Sequence, residues 1–132
     1  MKPLANNNPC LCGSGKLTAD CCGPCLDGTA PASTAEALMR SRYVAYALGA
    51  EPYLLATWDA TTRPASLNFD TEPPLNWIGL TIKRHEQQSA DRAIVEFVAR
   101  YKIGGRAYRL HETSRFVRKD GYWLYIDGEI EA

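Results

Sequence analysis

Four cysteines in the spacing C-x-C-x8-C-C, Cys10, Cys12, Cys21 and Cys22, constrain the start of this chain more than any other feature. Around them stand Gly, Asn, Pro and Ser with almost no large aliphatic residue, so the segment through residue 30 cannot build an apolar core and needs an external staple. Four thiolates complete the tetrahedral shell of one zinc ion and leave no position for a substrate water, which makes a closed structural site. Gly13 and Gly15 allow the backbone to turn tightly between the two pairs. Reduced, unliganded thiols or incidental disulfides are the alternatives, but they leave a coreless segment without stabilisation. Cys25, the fifth cysteine, reads first as a spare, partly exposed thiol just past the site, with an alternative ligand or a redox role as the competing reading.

The compartment supports metal over disulfide. Residues 1–8 lack the apolar run of a signal peptide, and no stretch approaches the length of a membrane span, so the expected location is the cytoplasm, where thiols stay reduced. Fifteen basic and fifteen acidic side chains cancel, which removes any global field for nucleic acid or an anionic membrane. With 45% apolar and 23% charged residues in 132, the chain has the balance of one ordinary globular domain plus a small appendage.

Composition divides the chain near residue 30, giving a knuckle over 1–30 and a larger domain over 31–132. Ser33-Thr34-Ala35-Glu36 has the spacing of a capping box and predicts a helix running to Leu48, with Gly49 as its stop. Arg40 and Arg42 lie two apart on it, so they cannot share a face and at least one is expected to be solvated or paired. Glu51-Pro52 starts a shorter helix to about Trp58, and residues 60–74 are proline-spotted and poorly periodic.

The period then becomes two. Ile78, Leu80 and Ile82 alternate with Gly79 and Thr81, and Val95, Phe97, Ala99 and Tyr101 alternate with Glu96, Val98 and Arg100. Arg84 to Arg92 reads as a polar loop containing His85. A third strand over 106–118, hairpin chemistry at Lys119-Asp120-Gly121 and a fourth strand over 122–126 complete an antiparallel meander. Helices followed by such a sheet make an α+β domain.

Gly13-Ser14-Gly15-Lys16 is not a phosphate loop, because Cys10 and Leu17 stand where that loop needs Gly and Ser or Thr. Pro9 to Gly23 instead resembles the SEC-C motif, a zinc-binding module, and the resemblance carries the ligand role onto Cys10, Cys12, Cys21 and Cys22. The motif usually has several lysines between its cysteine pairs; this chain has Lys16 alone.

Leu38-Met39-Arg40-Ser41-Arg42-Tyr43, Thr57-Trp58, Trp77-Ile78-Gly79-Leu80-Thr81, Phe97-Val98-Ala99-Arg100, Ser114-Arg115-Phe116 and Tyr125-Ile126-Asp127-Gly128 resemble the YchJ family. That resemblance implies a SEC-C knuckle joined to a nuclear transport factor 2-like cone, and it implies no particular reaction. A second knuckle, present at the C-terminus of some members, does not occur before Ala132.

Relatives of the cone that act as isomerases or dehydratases place an acid or base in the cavity opposite an oxyanion-stabilising donor. Asp59, His85 and His111 are the candidate bases here, with Tyr43 or Tyr46 as donors. As a ligand-binding set, the sequence offers Tyr43, Tyr46, Trp58, Asp59, His111 and Arg115. Plainer roles compete: Asp59 as a turn cap, His111 and Arg115 on an exposed sheet face with Arg109 and Thr113, and the aromatics as core. Three functions are ordered by expectation. First is a non-catalytic adaptor whose knuckle docks on a protein or ribosomal partner while the cone gives a second surface or holds a small ligand. The isomerase or dehydratase follows, and then a self-associating protein such as a homodimer.

Overall fold

The computed structural model describes residues 8–67, 69 and 75–131. The leader reading of residues 1–7, and part of the irregular segment 60–74, lie outside them. A 3₁₀ turn, Thr18–Asp20, and a one-turn helix α1, Gly23–Leu26, lead into α2, Ala35–Leu48, and α3, Glu51–Ala56. Strands β1 (Leu75–Gln87), β2 (Arg92–Ile103), β3 (Arg106–Lys119) and β4 (Tyr122–Ile130) form one antiparallel sheet in sequential order. No helix among the described residues is long and apolar enough to cross a membrane.

Local chemistry explains most element boundaries. Helix α2 begins one residue later than the capping box implies: Thr34, not Ser33, is the N-cap, and its Oγ1 accepts the Ala37 amide at 3.0 Å. That shift brings Glu36 too early in the first turn to reach back, and its carboxylate pairs with Arg40 at 3.0 Å instead. Gly49 ends the helix at φ 69°, where a side chain would be strained. The short helix stops at Ala56 rather than Trp58, because Thr57 and Asp59 bond to β4.

The two long hairpins close through two-residue turns with both central residues at positive φ, Gly104-Gly105 (57° and 83°) and Asp120-Gly121 (51° and 83°). This geometry matches the right-handed twist of the flanking strands. Both outer strands run further than expected. Strand β1 continues to Gln87 and carries His85 opposite Val95, so His85 is a strand residue rather than a loop residue. A register shift between Trp77 and Gly79 inverts the expected parity at the start of β1: Trp77 points inward, and Ile78 is 51% exposed.

Helix α2 lies across the concave face. Leu38, Met39, Tyr43 and Val44 pack with Val95, Phe97 and Ala99 of β2, Phe116 of β3 and Trp123 of β4. Cys10, Cys12 and Cys22 belong to the same apolar cluster, so the knuckle rests on α2. Leu54 of α3 fills a second small cluster with Ala45 and Ala50. A parallel bridge pins Trp58 to Tyr125: the Asp59 amide donates to the Tyr125 carbonyl, and the Tyr125 amide donates to the Thr57 carbonyl, each at 2.8 Å.

Candidate functional site

The knuckle is a small β-turn structure built around its cysteines. Pro9 and Leu17 bridge antiparallel, the Cys10 amide donates to the Lys16 carbonyl at 2.9 Å, and the Gly13 amide returns to the Cys10 carbonyl at 3.1 Å. Gly13 and Gly15 take φ values of 77° and 87°, which the reversal between the two cysteine pairs requires. The 3₁₀ turn then delivers Cys21, and Cys22 caps α1.

All four sulfurs lie within 4.8 Å of one another. Cys12 and Cys21 are 3.5 Å apart and Cys21 and Cys22 3.8 Å apart, far longer than the ~2.05 Å of a disulfide. A tetrahedral thiolate site with bonds of ~2.3 Å places its sulfurs about 3.8 Å apart, so the cluster fits a single metal ion. Cys10, Cys12 and Cys22 are buried. The crowded thiols share their protons unevenly: hydrogen bonds from Cys10 and then Cys22 hold the Cys12 thiol below its ordinary pKa, while the same contacts push Cys10 and Cys22 up.

Polar neighbours support the sulfurs. Ser14 Oγ lies 3.1 Å from Cys21 Sγ, and Arg40 reaches from α2 to the Cys12 carbonyl. Cys25 stands outside the group of four, partly buried against the core, and burial, then the charges of Cys21 and Asp27, push its thiol up.

The cone encloses a second candidate site, a cavity of about 270 Å³ between α2 and the sheet. Tyr43 and Tyr46 line it, together with Trp77, Phe97 and Tyr125. Its polar groups are Arg42, Glu112 and Ser114. Trp58 backs this wall without lining it: its ring lies 5.0 Å from Tyr125, edge-on, and Arg42 sits over both rings at 5.0 and 4.7 Å. Arg42 is only 3% exposed and its Nη1 donates to the Leu54 carbonyl and to Thr57 Oγ1, each at 2.8 Å. Of the two helix arginines, then, Arg40 is the paired one and Arg42 is the buried one.

The other expected site residues are elsewhere. Asp59 is buried in the turn after α3, where its carboxylate accepts Lys119 Nζ at 2.6 Å and the Thr61 hydroxyl, and these bonds hold its pKa down to about 2. His111 bonds Glu96 at 2.7 Å, and Arg115 bonds Asp127 at 2.6 Å and Glu129 at 3.2 Å, both on the face away from α2. His85 lies 3.8 Å from Glu36. None of these four lines the cavity. Alternation explains the split: Leu110, Glu112, Ser114 and Phe116 point inward, so His111 and Arg115 point outward. Glu112 carried a legible signal, a charged residue on the parity of Leu110 and Phe116.

Residues 34–128 match the family model described as YchJ, middle NTF2-like domain. A UPF0225 protein of Chromobacterium violaceum is 58% identical over 90% of both chains. One from Cupriavidus metallidurans is 56% identical, covering 92% of this chain and 89% of its own. Among solved structures, a SEC-C motif containing protein from Rhodopseudomonas palustris superposes with a TM-score of 0.84 at 37% identity, covering 95% of this chain and all of its own. A second SEC-C motif containing protein, from Psychrobacter arcticus, gives 0.73 at 29% identity, over 96% of this chain and 81% of its own. The cysteine cluster folded onto a nuclear transport factor 2-like cone therefore has its counterpart in these proteins, and this chain belongs to the YchJ-like UPF0225 family.

Proposed function

We propose that this protein is a non-catalytic, cytoplasmic adaptor whose knuckle holds one structural zinc ion and docks on a protein partner, free or on the ribosome. The observation that carries the reading is the knuckle itself: four clustered sulfurs with no further ligand position, beneath a surface that leaves Leu11 52% and Leu17 46% exposed. Zinc suits four thiolates in a reducing compartment because it is redox-inert and tetrahedral. A closed shell stabilises and presents a surface rather than activating water. Exposed leucines on a segment with no core of its own suit protein contact.

The test compares two variants. Leu11→Ser with Leu17→Ser is expected to retain one zinc per chain while losing the proteins that wild type captures from lysate. Cys10→Ser with Cys21→Ser is expected to lose both metal and captured proteins. Unchanged capture by the leucine variant would falsify the docking role.

One observation favours a second reading, an isomerase or dehydratase: Glu112 is a carboxylate in an apolar cavity beside the phenols of Tyr46 and Tyr125. The bases expected for it, Asp59, His85 and His111, have no access to that cavity.

A further inference from the structure

Two opposite charges face the cone cavity without meeting. Arg42 enters from α2 and Glu112 from β3, and among the described residues neither forms an ion pair. Their fields overlap at the phenols of Tyr46 and Tyr125, each of which feels both charges. An arginine with 3% exposure is costly to bury, and the partners it has are all neutral: the Leu54 carbonyl, Thr57, the Tyr46 phenol and two aromatic faces.

Glu112 is held in place. Ser114, 1% exposed, donates its hydroxyl to Glu112 Oε2 at 2.7 Å. Across the hairpin, Gly128 leaves the space into which the carboxyl group folds: a Cβ there would stand 2.8 Å from Glu112 Cδ. Gly128 does not have the positive φ that demands glycine, so what its missing side chain provides is room for that carboxylate. A buried serine and a glycine thus both position a carboxylate in a cavity otherwise walled by Trp77, Phe97 and Leu110.

We infer that the cone cavity binds a small zwitterion, an α-amino acid with a flat apolar side chain, whose carboxylate meets Arg42 and whose ammonium meets Glu112. A purely cationic ligand gains Glu112 but is repelled by Arg42, and an anionic one gains Arg42 but is repelled by Glu112; only a ligand with both charges satisfies both. The volume, about 270 Å³, lies at the small end for ligand pockets and suits a single amino acid. Trp77, edge-on to Tyr43 at 5.9 Å and tilted to Tyr46 at 6.3 Å, supplies the aromatic wall for the side chain.

Calorimetric titration of the full chain with L-phenylalanine, 2-phenylethylamine and 3-phenylpropanoate tests this. Phenylalanine is expected to bind at least about tenfold more tightly than either singly charged analogue, the effect of one added charge-assisted hydrogen bond. Glu112→Gln is expected to abolish its advantage over 3-phenylpropanoate. Gly128→Ala, which displaces only the end of a flexible side chain, is expected to reduce the same advantage with folding intact. The inference is overturned if no compound gives a saturable heat, if a singly charged analogue equals phenylalanine, or if the preference survives in both variants.

Discussion

Arg40 ties α2 to the cysteine cluster through Cys12: its Nη1 donates to the Cys12 carbonyl at 3.0 Å and stands 3.7 Å from the Cys12 sulfur. Glu36 orients the same guanidinium by accepting Nε at 3.0 Å. A divalent ion with four thiolates carries a net double negative charge, and this arginine is placed to offset part of it.

Arg40→Ala is therefore expected to weaken metal retention about 10- to 100-fold, the usual effect of removing an outer-sphere partner. Competition against a chromophoric chelator measures it. Arg40→Lys should recover part of the loss, since it restores charge without the two-sided fork. Equal retention in wild type and both variants would reduce Arg40 to a surface residue.

Metal removal is expected to affect more than the knuckle. Cys10, Cys12 and Cys22 share an apolar cluster with Leu38, Val44 and Phe116, so a released knuckle uncovers α2. Calorimetry with and without chelator should show the main transition moving to lower temperature. A chelated protein that melts as before, with its metal gone, would contradict this.

Asp59 gives a prediction for acid. Its folded pKa, about 2, lies below the unfolded value of ~3.9, so its bonds to Lys119 and Thr61 stabilise the fold above that unfolded value. The contribution is lost as pH falls from about 4 to about 2. Urea midpoints across this range should fall less steeply in Asp59→Asn than in wild type, and parallel slopes would remove Asp59 from the acid response.

Core truncations should separate by size. Phe116, 1% exposed, and Leu54, fully buried, are expected to cost about 3–5 and 2–5 kcal/mol respectively on replacement by alanine. Gly121→Ala, at φ 83°, should cost about 1 kcal/mol through backbone strain alone. Denaturant unfolding distinguishes them, and a Phe116→Ala cost no larger than that of Gly121→Ala would mean the concave face is not the principal core.

The order of elements was legible because the apolar period changes from helical to alternating, and the cysteine cluster because its spacing needs no tertiary information. The cavity was harder to read. Strand β3 carries polar residues on both parities, and His111 and Arg115 attracted notice by type although Glu112 and Ser114 are the ones on the parity of Phe116. Arg42 was hidden for a related reason: an arginine suggests a solvated face, and only the packed carbonyl of Leu54 and the rings of Trp58 and Tyr125 show why one is buried. The shift between Trp77 and Gly79 exchanged inner and outer residues at the start of β1, and strict alternation has no means of signalling an extra residue.

An open sheet leaves a row of free backbone donors and acceptors along each border, which other chains can extend into aggregates. The bridge from Trp58 to Tyr125 interrupts that row midway along β4, since both the amide and the carbonyl of Tyr125 are already bonded to the segment leaving α3. A short piece of irregular backbone thus acts as a guard rail, denying an incoming strand the unbroken template that its pairing would need.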